Sequence, residues 1–374
     1  MTTPITETLA NLPPAQTGRT ITAGQRAFFH AIPKVELHCH LLGAVRQQTF
    51  RDLAARHRAP LDAGQIDAFY ARGSKPVGVL HTLRALERHV LLAPDDFRRI
   101  AYEYLEDAAS ENVRHAEFFW NPTTTLREVG LRYAEVQAAL VTGIAEAERD
   151  FGISALLVPA IDREADSGAA VEMVELMLAH RDRRVPGIGI DYRETDRPPT
   201  LFAEAYALAR RHGLRATAHA GEFGMPWTNV RTVVDEFGVD RVDHGYTIVD
   251  NPELAARYAE RGIVFTIVPT NSYYLRTLSP QRWATEHPIR RMAALGLALH
   301  PNTDDPTLHH VSPAGAWELL YSHLGFDLAD LRGMLLAGID GSWADPDRRA
   351  AWKAQWPAMF DNAAAGLGWE TSAL

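Results

Sequence analysis

The stretch VELHCH at residues 35–40 decides the fold assignment, because it is a short apolar run that ends in two histidines. Side chains two positions apart in a β-strand point to the same face, so His38 and His40 share one face and Cys39 takes the other. Chemically active side chains at the end of a buried strand are typical of an α/β barrel, whose catalytic groups lie at the C-terminal ends of its strands.

The rest of the chain repeats this pattern of a short apolar run followed by a longer amphipathic run. Several of the amphipathic runs end in a glycine, as at Gly213, Gly262 and Gly296, which is a typical helix stop signal. No glycine-rich dinucleotide-binding motif follows any of the apolar runs. Eight βα units predict an α/β fold, specifically a (β/α)8 TIM barrel rather than an open doubly wound sheet. The predicted strands are 35–40, 113–120, 154–161, 187–192, 215–219, 241–244, 263–268 and 297–300.

The first two predicted strands are separated by an unusually long segment that contains several helical runs. Insertions after a barrel strand lie on the catalytic face, so we expect residues 44–112, approximately, to form a helical lid over the site. Residues 1–28 are rich in threonine and proline and have weak periodicity, which predicts an irregular N-terminal arm. The division of the chain is therefore an arm at 1–28 and a single barrel domain at 29–374.

The composition excludes several classes of partner. The chain has 374 residues, of which 46% are hydrophobic, and a formal net charge of −9, which argues against a nucleic-acid or membrane-surface partner. Its one cysteine, Cys39, cannot form an intrachain disulfide and suits a reducing compartment. We see neither a secretory signal nor a long apolar span, so we expect a cytoplasmic protein. The oligomeric state is left open.

Four residues at the ends of predicted strands have the chemistry of metal ligands. They are His38, His40, His219 in HAGE and Asp304 in NTDDP. Three imidazoles and one carboxylate suit a divalent transition metal, and their separation along the chain leaves a coordination position open for water. An isolated HxH pair is weak evidence, but the combined set favours a metal hydrolase.

Three further residues near the same strand ends are candidates for proton transfer or substrate contact. Glu222 follows a glycine that permits a sharp turn, His244 ends the sixth strand, and Asp305 follows Asp304. Each also has an ordinary structural explanation: a helix start, a strand-end histidine and a solvated Asp-Pro turn. Their occurrence beside the metal-ligand candidates favours general acid–base roles.

The motifs PKVELHCHLLGA, HAGE, RVDHG and NTDDP, in this order over residues 33–345, resemble the adenosine deaminase family of zinc aminohydrolases. The resemblance implies that one zinc ion per subunit is bound by His38, His40, His219 and Asp304. It also implies that Glu222 protonates the purine ring, that His244 acts on the attacking water, and that Asp305 binds the ring or hydroxide. The fourth strand, GIGIDYRE, offers no lysine that could be carboxylated to bridge a second metal.

Two positions depart from the family pattern. Adenosine-specific members carry an aspartate for the ribose hydroxyl where this chain has Leu42, and a glycine-containing AGDE where this chain has Asp191, Tyr192, Arg193 and Glu194. An apolar side chain leaves a sugar hydroxyl without a partner, at a cost of about 1–3 kcal/mol. Tyr192 is positioned to stack on a heterocycle or to close part of the pocket.

The sequence therefore predicts a zinc-dependent deaminase of a small aminopurine-type molecule. The leading substrate is an aminopurine nucleoside, adenosine or a close analogue, and His40, Tyr192 and Asp305 are the expected substrate contacts. The alternatives are deamination of a free aminopurine base or pterin-like ring, hydrolysis of an amide or ester, and a non-catalytic zinc barrel that only binds ligand. Glu222 and His244 argue against the last, since a pure binding protein has little need of them.

Overall fold

The computed structural model describes residues 19–76, 78–367 and 369. Its centre is a sheet of eight parallel strands in which each strand pairs with the next along the chain. The predicted (β/α)8 TIM barrel is confirmed, and the strand bounds lie within one or two residues of those expected from the sequence. The strands are β1 (Lys34–His40), β2 (Val113–Trp120), β3 (Ser154–Asp162), β4 (Gly187–Asp191), β5 (Arg215–Ala220), β6 (Arg241–His244), β7 (Val264–Ile267) and β8 (Ala298–Pro301).

The end of β1 meets the segment after β8 and so closes the ring. The backbone N–H of His40 donates to the Asp304 carbonyl at 2.7 Å, and the Asp304 N–H donates to the His38 carbonyl at 3.0 Å. An isolated parallel bridge joins Cys39 to Asp304. Barrel closure therefore brings Asp304 next to the two histidines of β1, although more than 260 residues lie between them in sequence.

Helices surround the barrel and follow the alternating pattern expected of βα units. Helical turns of three to six residues occupy Leu42–Ala44, Pro122–Thr124, Thr125–Val129, Pro199–Phe202, Thr232–Phe237, Tyr246–Asp250 and Pro306–His309. The longer helices are α1 (Ala23–Ala31), α2 (Gln47–His57), α3 (Ala63–Tyr70), α4 (Leu80–His89), α5 (Pro94–Ser110), α6 (Tyr133–Phe151), α7 (Ser167–Ala179), α8 (Ala203–Arg211), α9 (Trp227–Arg231), α10 (Pro252–Glu260), α11 (Ser272–Thr277), α12 (Pro280–Glu286), α13 (Pro288–Ala294), α14 (Pro313–Ser322), α15 (Leu328–Gly341) and α16 (Pro346–Ala365).

Part of the segment expected as a mostly irregular arm over residues 1–28 is helical, because α1 begins at Ala23. A capping box explains this start, since the Thr22 hydroxyl accepts from the Gln25 N–H and the Gln25 side chain accepts from the Thr22 N–H. Phe28 of α1 then packs edge-on against Phe360 of α16. Residues 1–18 lie outside the described part of the chain.

The long segment between β1 and β2 forms the four helices α2 to α5. Helix α5 packs along α6, while α4 lies at the mouth of the barrel, where Leu80 and Leu83 line the central cavity. The segment is thus on the catalytic face, as expected of an insertion after a barrel strand. Over the described residues, no helix is both long and apolar enough to cross a membrane.

Candidate active site

The site is a cavity of about 510 Å³ at the C-terminal ends of the strands. Its walls include residues from the ends of β1, β4, β5, β6 and β8 and from α4 and α11. This volume falls in the usual range of 300–1,000 Å³ for small-molecule sites. All of the site residues predicted from the sequence except His38 line this cavity, and His38 lies directly behind it in the metal-ligand cluster.

Five potential metal ligands converge at the base of this cavity. One donor atom from each of His38, His219, His244 and Asp304 lies within 4.8 Å of every other. His40 is adjacent, with its Nε2 3.2 Å from His219 Nε2 and 3.1 Å from Asp304 Oδ1. The structure therefore brings together all four predicted ligands, and it places His244 at the same point.

The donor set fits a divalent transition metal. The Nε2 atoms of His38 and His244 are fully buried and make no hydrogen bond, an arrangement that is costly unless something else occupies them. Two imidazole nitrogens 3.2 Å apart, as in His40 and His219, can share one proton, whereas a cation between them engages both lone pairs. Nitrogen and carboxylate donors together suit zinc and its neighbours in the first transition row.

Asp243 lies behind two of these histidines and was not identified from the sequence. It is fully buried, and its Oδ2 is 3.3 Å from His219 Nδ1. The hydroxyls of Thr217 and Thr266 donate to its two oxygens at 2.8 and 2.7 Å. His38 Nδ1 is 3.3 Å from the Thr266 carbonyl, which can only accept. In both histidines the proton is therefore held on Nδ1, and the Nε2 lone pair is free to bind a metal.

Asp191 has the same relation to His40. This last residue of β4 is buried, and its Oδ2 lies 3.1 Å from His40 Nδ1, while the Asn121 amide donates to its Oδ1. The carboxylate fixes the His40 ring with Nε2 directed toward His219 and Asp304. Asp191 and Asp243 lie at the C-terminal ends of their strands, where chemically active residues of a barrel are expected. Nothing in their spacing along the sequence indicated which histidine each would contact.

Glu222 is positioned by the sharp turn that was expected in HAGE. Gly221 has φ +66°, and a Cβ there would overlap Thr247, so the turn requires glycine. Buried Glu194 fixes the turn by accepting from the N–H groups of Gly221 and Glu222 at 3.0 and 2.9 Å. The Asn271 amide donates to Glu222 Oε1 at 2.9 Å.

The environment of Glu222 favours its protonated form. Burial, together with the nearby Asp304 carboxylate, raises the pKa of Glu222 well above its usual range, although the Asn271 hydrogen bond opposes this. Because Asn271 donates to Oε1, the proton of the neutral acid resides on Oε2. That atom lies 3.5 Å from His244 Nε2. A proton donor and a potential proton acceptor thus lie side by side in the cavity wall.

The neighbours of His244 keep it neutral with Nε2 as the acceptor. Its Nδ1 is 3.2 Å from the Tyr246 hydroxyl, which donates to the Val268 carbonyl at 3.1 Å. The Val268 N–H also donates to the phenol oxygen at 3.0 Å. With the phenol proton on the Val268 carbonyl, the phenol oxygen accepts from His244 Nδ1–H, and an unprotonated Nε2 faces the cavity. Burial, reinforced by His38 and His219, lowers the pKa of His244 well below its ordinary value.

Asp305 is the second carboxylate of the NTDDP motif and faces the same cavity. Burial and the adjacent Asp304 carboxylate raise the pKa of Asp305 to about 8. Its side chain rests directly on the backbone of Gly43, where a Cβ would overlap the carboxylate. The glycine after HCHLL therefore provides the space in which Asp305 sits.

The backbone is strained at three of the predicted positions. Tyr192, His244 and Asp304 have φ +62°, +66° and +64°, a left-handed conformation that is uncommon for residues other than glycine. Such conformations cost about 1–3 kcal/mol and persist where the surroundings enforce them, commonly at active sites. Tyr192 directly follows β4, His244 is the last residue of β6, and Asp304 lies three residues after β8.

The two departures from the family pattern have different environments. Leu42 is buried in the main hydrophobic core, within the helical turn after β1. Tyr192, directly after β4, lines the cavity, and its hydroxyl donates to Glu87 Oε1 of α4 at 2.9 Å. Arg193 is more than half exposed and lies 3.5 Å from Glu164. Tyr192 therefore lines the cavity, whereas Leu42 does not.

A parallel eight-stranded barrel with a histidine–carboxylate cluster at the C-terminal ends of its strands defines a metal-dependent hydrolase of the amidohydrolase class. Within that class, the family model "Adenosine deaminase" matches residues 33–355. The chain belongs to the adenosine deaminase family, and its class of activity is hydrolytic deamination. The family resemblance inferred from the four motifs is thereby confirmed.

Individual relatives agree with this assignment. The chain is 33% identical over 337 residues to an adenine deaminase of Rhodospirillum rubrum, covering 89% of this chain and 98% of that protein. A crystal structure of an amidohydrolase from Burkholderia ambifaria with bound Zn is 66% identical, with a TM-score of 0.95 over 96% of this chain and 99% of that one. The adenine deaminase of Arthrobacter aurescens is 28% identical, with a TM-score of 0.79 over 90% of this chain and 100% of that one.

Proposed function

We propose that this protein is a zinc-dependent hydrolytic deaminase of a free aminopurine base, with adenine as the reference substrate. The observation that carries the proposal is the pairing of Glu222 Oε2 with His244 Nε2 at 3.5 Å beside the ligand cluster. Hydrolytic loss of ammonia from an amidine-like carbon needs both a proton donor and a proton acceptor at the same carbon.

Zinc would be held by His38, His40, His219 and Asp304, at one ion per subunit. A bound zinc ion supplies a Lewis acid that makes water nucleophilic near neutral pH. The Zn-containing Burkholderia ambifaria structure supports this choice, as do the buried Nε2 atoms that lack hydrogen bonds. Asp191 and Asp243 hold the imidazoles in the tautomer that ligation needs.

The side chains of this protein then divide the proton transfers between them. His244 Nε2, which carries no proton, accepts one from the attacking water. Protonated Glu222 donates from Oε2 to the ring nitrogen next to the reacting carbon, so that the ring can lose its aromaticity without building up negative charge. Asp305, with its raised pKa, is available to hydrogen-bond the substrate. His244 then passes the proton taken from water to the amine, which leaves as ammonia. The hydroxyl proton of the tetrahedral carbon returns to Glu222, and the product is an oxopurine.

Two observations favour the free base over the nucleoside that the family resemblance suggested first. Position 42 is an apolar side chain buried in the core, so it offers the cavity no acceptor for a ribose hydroxyl, and Tyr192 occupies space that a glycine would leave open. The relatives from Rhodospirillum rubrum and Arthrobacter aurescens are both named adenine deaminases. The nucleoside remains the second candidate, because a cavity of about 510 Å³ does not exclude a sugar by size alone.

The test is ammonia release from adenine, adenosine, deoxyadenosine and an aminopterin-type ring with zinc-loaded protein. We expect adenine to react fastest. In Glu222→Gln, the amide oxygen still accepts from Asn271, so adenine binding should persist while turnover falls at least about 10²-fold. Exposed Glu253, changed to Gln, is the matched control and should leave the rate unchanged. Absence of ammonia from every aminopurine, or full activity of Glu222→Gln, would refute the proposal.

A further inference from the structure

We propose that Arg84 and Glu87 of α4 hold Tyr192 as a fixed wall of the cavity, and that this wall excludes purines with a bulky ring substituent such as ribose. The inference rests on the proposed function, and it names the residues that determine substrate size at the same site. Tyr192 is the specificity-determining residue, and Arg84 and Glu87 are positioning residues that act through it.

Tyr192 is held at both its hydroxyl and its ring face. The hydroxyl donates to Glu87 Oε1 at 2.9 Å, and the Arg84 guanidinium carbon lies 4.1 Å from the ring centroid. The ring is buried and lines the cavity. A phenol with one hydrogen bond and one cation–π contact has few alternative rotamers, so the ring cannot swing aside to admit a larger ligand.

Arg84 is itself fixed by several partners. Its guanidinium donates to Glu87 Oε2 at 2.9 Å, to the Thr124 hydroxyl at 2.9 Å and to Asp162 at the end of β3 at 2.7 Å. Since Asp162 belongs to the barrel and Glu87 to the insertion, Arg84 joins α4 to the strand ends.

The position of this wall is linked to the ligand cluster through the backbone. Tyr192 follows Asp191 directly, and Asp191 Oδ2 lies 3.1 Å from His40 Nδ1. The distance between the ligand cluster and the tyrosine therefore depends on two links, the peptide unit that joins Asp191 to Tyr192 and the contact of Asp191 with His40. Leu80 and Leu83 of α4 line the same cavity, which gives an apolar enclosure suited to a flat ring.

The backbone conformation of Tyr192 indicates that its side chain is retained for a reason. Its φ is +62°, a left-handed conformation that costs a residue with a Cβ about 1–2 kcal/mol and costs glycine almost nothing. A turn that needed only this backbone shape would be better served by glycine. The tyrosine side chain must therefore contribute through its contacts, which are those with Glu87, Arg84 and the cavity.

The experiment compares adenine with adenosine in five proteins: the wild type, Tyr192→Gly, Tyr192→Phe, Glu87→Ala and Glu87→Gln. The readout is the ratio of kcat/KM for adenosine to that for adenine. Tyr192→Gly removes the wall at a position whose backbone favours glycine, and we expect the ratio to rise at least tenfold. Tyr192→Phe keeps the ring over Arg84 but loses the hydrogen bond to Glu87, so its ratio should shift in the same direction as Tyr192→Gly and by less.

The Glu87 variants test the positioning role separately. Glu87→Ala releases the phenol and should shift the ratio in the same direction as Tyr192→Gly, whereas Glu87→Gln still accepts from the hydroxyl and should restore the wild-type ratio. Glu128→Ala, which removes an ion pair with Arg88 on the same helix, is the matched control. A purely structural role for Glu87 would lower both rates together and leave the ratio unchanged.

Calorimetry measures the affinities of the same zinc-loaded proteins for adenine and adenosine, and so gives a ratio of affinities that does not depend on turnover. If wild type deaminates neither compound, the proposed function fails, and the binding ratio still tests the wall. If Tyr192→Gly and Glu87→Ala are folded and zinc-loaded but leave both ratios within twofold of wild type, the inference is overturned. Because these two variants act at different residues, poor folding of one leaves the other as the test.

Discussion

Replacing Asp243 by asparagine should weaken zinc binding while leaving all four proposed ligands in place. Asp243 Oδ2 lies 3.3 Å from His219 Nδ1, where its negative charge favours a proton on that nitrogen, and both of its oxygens accept from threonine hydroxyls. An amide offers one acceptor and one donor. If its NH2 group faces His219, the imidazole must move its proton to Nε2, which removes the lone pair that would bind the metal.

The structure indicates the size of this effect. Mutation of an outer carboxylate that orients a metal-bound histidine typically costs 10–100-fold in affinity. Asp243 supports His219 directly and His38 through Thr266, so two of the four ligands depend on it. We therefore expect the upper part of that range, about 30–100-fold, which corresponds to about 2–2.7 kcal/mol.

The assay is competition for zinc between the apoprotein and a fluorescent chelator of known affinity. Asp240→Asn is the matched control, because it removes the same charge from the residue that precedes β6, at the opposite end of the strand from His244. Its carboxylate accepts from the Ala216 N–H rather than from a histidine. An Asp243→Asn affinity within twofold of wild type would refute the assignment of Asp243 as the residue that fixes the His219 tautomer.

Two further predictions concern the pH dependence of stability and the different roles of His40 as a metal ligand and His244 as a proton acceptor. Burial raises the pKa of Glu36, in β1, from 4.5 to about 8, so the folded chain keeps a proton that the unfolded chain releases. In metal-free protein the contribution of Glu36 to the free energy of unfolding should therefore fall by about 4 kcal/mol from pH 4.5 to 8. Denaturant titrations should show a flatter pH profile for Glu36→Gln than for wild type. Metal analysis should find zinc lost from His40→Ala but kept in His244→Ala. Ammonia release by His244→Ala should fall at least about 10²-fold, because the proton acceptor is gone. Zinc loss from His244→Ala alone would instead make His244 the ligand and His40 the residue outside the ligand set.

The barrel strands were predictable because each is a short apolar run bounded by turn residues, so burial and length together identify it. The strand-end residues followed from the geometry of the barrel, which gathers those ends at one face. The start of α1 was missed because the Thr- and Pro-rich composition before it concealed the capping pair Thr22 and Gln25. A capping box depends on two residues three positions apart, and average composition does not record it.

Contacts between distant segments could not be predicted from the sequence, for a different reason. Tyr192 and Glu87 are 105 residues apart, and their contact depends on how the insertion folds back over β4. Asp191 and Asp243 point into the barrel, as the alternation of side chains along their strands predicts. A carboxylate at such a position can bind a metal, a substrate or a histidine, and only the packed barrel shows which partner lies within reach.

The partners behind each imidazole indicate which histidines are suited to hold a metal. By distance alone His38, His219, His244 and Asp304 form the tightest set, and His40 lies at its edge. His219 and His40 each have a carboxylate behind Nδ1, which raises the basicity of Nε2 as a metal donor.

His244 instead has a phenol behind Nδ1, and that hydroxyl is already committed to a carbonyl. It gains no such increase in basicity from its neighbour. A neutral imidazole with a free lone pair 3.5 Å from a protonated carboxyl is better suited to moving a proton than to holding an ion. We therefore infer that His40 belongs with the ligands and His244 with Glu222.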